Sequence, residues 1–523
     1  MGATVTALAA CEAPREPGVL APVEGFAGLI AGDEPRAVIV GRDVLGNGGT
    51  AADAAVAMYF TMTVTMPSRV GIAGGGVCLA HNSGLGFQEG DPFDEAYVFL
   101  PDPAAPARPQ LAGPRAMAVM HARHGAQRWE LLLGEAERLA RMGAGASRAF
   151  VTDLDAAAAF VSASPDLKAA FSNRSGALAR EGDQIVRSQL SGLISGLRRQ
   201  GAGYLYTGAF ASRFVEAAGT IGVPLSVEEL RDAGPVVTAP LSVPYGDNVA
   251  YFPPPPGSGG PLAAQLWGAL TEVENYAGAG PAERAHLLAE AGQRAFAARG
   301  GWMGAAGSVD AGGSDLVSEA ALERLMAGYS ARQHNPAAAG AAAAVPAVSN
   351  PYTAGFVTAD AWGSVVTCSF SMGGLFGAGR TVPGTGVILP KPAVPGADNL
   401  SAAIISNPFN GTVYFAGTAS GGLAAPAALA RVMLESTDGS DDLAAAVAAP
   451  RVVNVGTPDI TYHEPSLDAA VVSALRERGH DLRAESEVGR ANALFCPEGL
   501  RAAPGGCLVE TDKRGHGLAV VVQ

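Results

Sequence analysis

The sequence predicts an α+β protein whose sheets are covered by helices on both outer faces. Three observations carry this. The helical run after Thr50 is nearly uncharged, so it belongs inside the molecule. After Thr353 the pattern turns to strands, with "GFVTADAWGSVVTCSFS" reading as two strands around an Asp-Ala-Trp-Gly turn. Further on, "GTVYFAGTASGG" (411–422) is a strand ending in glycines that leads straight into the apolar helix "LAAPAALARVMLES" (423–436). Sheets of this kind need helical cover on their outer faces to bury what they expose.

Taken in order, "VGRDVLGNGGTAADAAVAMYFTMTVTMP" (40–67) opens with an apolar helical segment and a glycine turn. A second helix starts at Thr50, where Thr50 and Asp53 form a T-x-x-D capping box, and Pro67 marks its end. "VGIAGGGVCLAHN" (70–82) is glycines and a short strand. Residues 110–240 are mostly helical, and His121 and His124, three apart with no third ligand in view, read as surface residues. "YFPPPPGSGGPLAAQLWGAL" (251–270) is a proline turn, a Gly-Ser loop and a helix, and "HLLAEAGQRAFAARGGWMG" (286–304) is an amphipathic helix. Residues 329–350, "YSARQHNPAAAGAAAAVPAVSN", have little charge and no strand pattern, which suits a mobile linker. A linker placed directly before a strand that begins Tyr352-Thr353 suggests a site where the chain is cut.

Composition narrows the function classes. The 523 residues are 48% hydrophobic and 16% charged, enough apolar material for a large core. Net charge is −14, and no block of Lys or Arg stands out, which argues against nucleic acid and anionic lipid as partners. No apolar run reaches the roughly 18–20 residues of a transmembrane helix. The five cysteines are Cys11, Cys78, Cys368, Cys496 and Cys507; without a C-x-x-C pair or a Cys/His cluster, neither a zinc site nor any other metal or cofactor is expected. Cys496 and Cys507 flank "PEGLRAAPGG", a hairpin loop across which they either meet in a disulfide or remain two free thiols. At the start, Leu8-Ala9-Ala10-Cys11 resembles the lipoprotein box of exported bacterial proteins, but the basic leader is missing. A periplasmic or cell-envelope location is expected, with the cytoplasm as the alternative.

"GNGGTAADAAVA" and "GIAGGGVCLA" within 40–80, "PPPPGSGGPLAAQL" and "AEAGQRAFAAR" within 251–304, and the whole of 353–422 together resemble the gamma-glutamyltransferase (glutathione hydrolase) family of N-terminal-nucleophile hydrolases. The segments keep the family's order and spacing over most of the chain. The resemblance implies a four-layer αββα fold made as one precursor, which cuts itself into a large and a small subunit that stay together. Here these are 31–352, ending in a linker at 329–352, and 353–523, after an N-terminal tail of 1–30.

The resemblance also assigns residues. Thr353 falls where the family has the threonine that becomes the new N-terminus, so the cut lies between Tyr352 and Thr353. Ser371 falls at the hydroxyl that supports the nucleophile. Gly421 and Gly422 fall at the paired glycines whose backbone N–H groups form the oxyanion hole. A threonine hydroxyl is a poor nucleophile at neutral pH, whereas a free α-amine, with a pKa near ~8, accepts its proton. One residue then supplies nucleophile and base, but only once the bond before it is broken.

Departures lie around the substrate. The family continues Thr-Thr-His after the cut, where this chain has Thr353-Ala354-Gly355. Its glutamyl-binding arginine would fall near "FLPDPAAP" (99–106), which has none; Arg69 is a candidate replacement. Gly373 stands where Asn is common and is expected to open space. "KPAVPGADN" replaces an acidic pair, leaving Asp398 as a displaced substitute, and of two adjacent serines only Ser401 remains. The expected activity is a self-processing amidohydrolase or acyltransferase acting on a small-molecule amide, gamma-glutamyl or otherwise, through an acyl-threonine. The alternative is an uncut, non-catalytic relative that binds a ligand or partner.

Overall fold

The computed structural model describes residues 25–82, 93–101, 108–304, 313–337, 348, 350, 352–392, 399–439 and 442–523. Two antiparallel sheets pack face to face. In the first, seven strands run in the order Leu518–Val522, Gly28–Gly32, Thr353–Asp360, Val365–Ser371, Gly75–His81, Asp94–Phe99 and Val236–Thr238. In the second, six strands run Leu508–Thr511, Arg490–Phe495, Val413–Ser420, Ser401–Ser406, Asn248–Phe252 and Leu241–Tyr245. Side chains alternate across a strand, so each central strand contributes to two cores. Leu29, Leu79, Val357 and Ala359 meet Ile404, Ala416 and Leu494 between the sheets.

The outward-facing residues of the first sheet, among them Ile30, Phe356 and Phe370, lie under the helices Pro35–Gly46 and Ala51–Thr65. Those of the second, Ala403, Ile405 and Phe415, lie under Gly259–Gly268, Pro281–Ala298 and Ala425–Ser436. This is the four-layer αββα arrangement.

Local signals set several of these elements. Both hydrogen bonds of the Thr50/Asp53 capping box are made, Asp53 N–H to Thr50 Oγ1 at 3.1 Å and Thr50 N–H to Asp53 Oδ2 at 3.0 Å. Every residue of the helix they open is buried. The turn between the first two strands after Thr353 is closed by Asp360, which accepts the Trp362 and Ser364 N–H groups on one oxygen and Ala51 N–H on the other. Burial pushes this carboxyl up to about 6 against the pull of those donors.

Three expectations change. The stretch 1–30 was expected to be a tail, yet Gly28–Gly32 is a strand paired on both sides, with Leu518–Val522 and Thr353–Asp360; residues 1–24 lie outside the described residues. Part of the expected linker is fastened. His334 binds Glu290 and Asp459, and Ala337 N–H donates to Gln293 Oε1, while 338–347 lie outside the described residues. His121 and His124 are partly buried rather than on the surface. His124 and Arg123 bind Glu95; against the burial that raises it, their hydrogen bonds and that of Tyr97 bring the Glu95 carboxyl down to about 2.

The Cys496–Cys507 alternative resolves as a disulfide across the loop, and a second disulfide joins Cys78 to Cys368. Among the described residues no helix is long and apolar enough to cross a membrane.

Candidate active site

Thr353 opens the strand Thr353–Asp360, and its register decides where the hydroxyl points. Val357 and Ala359 face the second sheet, so by the two-residue period Thr353 and Gly355 face it too. The strand Val413–Ser420 of that sheet ends at the same edge and turns through Gly421 and Gly422 into the helix Ala425–Ser436. Gly421 N–H donates to Thr353 Oγ1 at 3.2 Å, and Thr353 is fully buried.

Glycine is required at both turn positions, because φ is 126° at Gly421 and 63° at Gly422. A Cβ on Gly422 would also stand 2.1 Å from Asn350 Nδ2. The turn thus presents the Gly421 backbone N–H to the threonine oxygen, just before the helix Ala425–Ser436.

Ser371 sits directly across the strand pair from Thr353, and its Oγ accepts the Gly373 N–H at 2.8 Å. Gly373 does not open space: its φ is 71°, and a Cβ there would lie 2.3 Å from the Lys391 carbonyl oxygen, so backbone fills the position. Ser401 lies opposite Ala419, near the same edge, but its hydroxyl is engaged with the Asn399 carbonyl at 2.8 Å. Asp398 lies outside the described residues. Gly355, the position where the resemblance led to an expected histidine, is explained by the second sheet. A Cβ there would meet Thr418 Oγ1 at 2.6 Å and the Cys368 carbonyl oxygen at 2.5 Å.

Asp33, Asn492 and Asp153 escape sequence reasoning because they come from distant parts of the chain, whereas Arg69 is already a candidate from the sequence. Asp33, just past the first strand, accepts Gly355 N–H at 2.8 Å and Asn492 Nδ2 at 3.0 Å. Arg69 Nη1 donates to the Thr353 carbonyl at 3.3 Å, while its other nitrogens clasp Asp153, which also accepts from Ser68. Although burial lowers it, the Asp153 charge leaves this guanidinium more firmly protonated than usual. Asp33, Arg69 and Asp153 line a cavity of about 210 Å³ beside the strand end, closed by Glu487, Arg490 and Arg514.

The residues before Thr353 lie over the glycine turn. Ala424 N–H donates to the Val348 carbonyl, Asn350 N–H donates to the Gly421 carbonyl, and the Asn350 side chain accepts Tyr352 N–H at 3.2 Å. The uncut chain thus holds the Tyr352–Thr353 bond beside the Gly421 N–H that faces the threonine hydroxyl.

Elsewhere, the fold gathers His286, Glu290 and His480, a grouping that no sequence spacing reveals. Their polar atoms are taken by the protein itself. His286 and His480 bond each other at 2.7 Å, their other nitrogens reach Ser330 O and Thr461 Oγ1, and Glu290 binds Arg294 and His334. Burial lowers both histidines, His480 to about 4.

A family model described as Gamma-glutamyltranspeptidase matches residues 37–392 and 397–522, breaking within the "KPAVPGADN" stretch. Among curated relatives, the Acylase ACY 1 proenzyme of Pseudomonas sp. (strain SE83) is 28% identical over 528 residues, 91% of each chain. The Glutathione hydrolase proenzyme of Escherichia coli (strain K12) is 23% identical over 546 residues, covering 95% of this chain and 94% of the relative. Among solved structures, the cephalosporin acylase from Bacillus halodurans superposes with a TM-score of 0.79 at 20% identity, over 98% of this chain and 99% of that one.

Proposed function

Because the chain belongs to the gamma-glutamyltranspeptidase family, we propose that it cuts its own Tyr352–Thr353 bond and then hydrolyses amides through an acyl ester on Thr353. The observation that carries this reading is the Gly421 N–H aimed at the buried Thr353 hydroxyl from a turn that only glycine can make. Its relatives of both named activities are proenzymes, which agrees with maturation by cleavage.

In the uncut chain, Thr353 Oγ1 attacks the Tyr352 carbonyl carbon. The peptide nitrogen leaves as the α-amine, and water hydrolyses the resulting ester. The free α-amine then takes the hydroxyl proton as Oγ1 attacks the substrate amide. The N–H groups of Gly421 and Gly422 receive the developing oxyanion, where losing one donor typically costs ~10²–10³ in rate. The protonated α-amine passes its proton to the leaving amine, and water releases the acid.

Asn350 positions the bond to be cut and has no part in turnover. Asn350→Ala loses about one hydrogen bond's worth of alignment, ~1 kcal/mol, so self-cleavage slows roughly five- to tenfold. Once cut, the variant turns over at the wild-type rate. A pulse-chase of precursor against product checks this, and an unchanged cleavage rate removes Asn350 from the process.

The substrate is an amide whose acyl group lacks a free amino-acid head. Arg69 already has its carboxylate in Asp153, and relatives that share this chain's length include acylases as well as a glutathione hydrolase. The location proposed is the cell envelope, because disulfides persist in oxidising compartments and two are formed here.

The test is intact-mass analysis of enzyme quenched during turnover of a glutaryl anilide and then reduced under denaturing conditions. The 353–523 fragment, beginning Thr-Ala-Gly, should carry one acyl group on Thr353. An acyl group on any other residue, or a chain that folds and stays whole, sinks the proposal.

A further inference from the structure

Cys78 and Cys368 are direct cross-strand partners in the strands Gly75–His81 and Val365–Ser371, bonded to each other with Cα atoms 4.1 Å apart. They are 290 residues apart in sequence and lie on opposite sides of the Tyr352–Thr353 bond. The other disulfide, Cys496–Cys507, lies wholly after that bond. We propose that Cys78–Cys368 is a covalent tie between the two subunits, formed in the precursor and kept through cleavage, so that the mature enzyme remains one covalent molecule. The proposal rests on the self-cleavage reading above.

The sheet shows where the tie acts. After the cut, the small subunit supplies two neighbouring strands to the middle of the first sheet, Thr353–Asp360 and Val365–Ser371. Strands of the large subunit flank them, Gly28–Gly32 on one side and Gly75–His81 on the other. The small subunit's Leu518–Val522 pairs with the other edge of Gly28–Gly32, so three seams run between the subunits inside a single sheet, and the disulfide staples the one at Gly75–His81.

Register keeps the tie away from the chemistry. Cys368 stands opposite Phe356, on the face under the helix Ala51–Thr65, while Thr353 faces the other sheet. Both sulfur-bearing residues are fully buried there, so a reductant reaches them only when the sheet opens.

Formation takes an oxidant. The two thiols lose their protons and together give two electrons to an incoming disulfide, that of an oxidised thiol–disulfide oxidoreductase or of oxidised glutathione, which leaves as two thiols. Because burial closes the site, this exchange belongs to folding of the precursor and precedes the cut.

The experiment uses protein exported to a bacterial periplasm and alkylated before denaturation. Without reductant, the matured wild type should run as one band of full-length mass that yields two N-terminal sequences, one of them Thr-Ala-Gly. With reductant it should separate into two bands. Cys78→Ser should give two bands under both conditions, whereas Cys11→Ser and Cys507→Ser should stay joined. Two bands from unreduced wild type, or a Cys78→Ser protein that remains joined, overturn the tie.

Peptide mapping of unreduced Thr353→Ala, which is expected to remain one chain, separates this proposal from the cleavage reading. A Cys78 peptide bonded to the Cys368 peptide supports the tie even if the wild type never cuts. Finding both thiols free overturns it whatever the cleavage result.

Discussion

Thr353→Ala should leave a single full-length chain and lower amide hydrolysis by at least about a thousandfold, the scale on which nucleophile deletions act in acyl-transfer enzymes. Both losses have one origin. The Thr353 hydroxyl is the atom that opens the Tyr352 carbonyl, and without that step no α-amine exists to serve as base. The fold should survive, because among the described residues this hydroxyl's hydrogen bond is the one accepted from Gly421 N–H, at a strand end rather than mid-sheet. Thr353→Ser keeps the oxygen and should restore both the cut and a measurable rate. Denaturing gels under reducing conditions, read beside a melting curve, check the prediction. A Thr353→Ala protein that still splits would place the chemistry on another residue.

A glutaryl anilide should be hydrolysed with a kcat/KM about 10–100-fold higher than its gamma-glutamyl counterpart. The two acyl groups differ only in the α-ammonium, so the comparison isolates what that charge meets. An ammonium drawn into a site without an acceptor loses its hydration and gains nothing; ~1–3 kcal/mol of such loss gives a ratio of this size. The carboxylates beside Thr353 already have partners: Asp33 accepts from Gly355 and Asn492, and Asp153 from Arg69 and Ser68. Steady-state rates on the two anilides decide the matter. A strong preference for the gamma-glutamyl compound would refute this account of the pocket and point to Asp398 as the ammonium's partner, which Asp398→Ala would then expose.

Much of this protein was legible in its sequence where neighbours along the chain determine the outcome. The Thr50/Asp53 cap involves residues three apart, and the turn closed by Asp360 involves residues two and four apart. The strand that begins at Thr353 and the glycines that end the strand at Ser420 could likewise be placed from local pattern. Such features depend on backbone groups that are neighbours in any conformation of the chain, so a short stretch carries the whole signal.

The surroundings of Thr353 were decided only by tertiary structure. Gly373 looked like an opening until the Lys391 carbonyl filled it, and Gly355 looked like a missing side chain until Thr418 arrived from the other sheet. Arg69 and Asp153, Asp33 and Asn492, and Cys78 and Cys368 meet across 84, 459 and 290 residues. No local pattern encodes these pairs, because strand register and the packing of one sheet on the other decide which face each residue presents, and a shift of one residue would turn every one of them away.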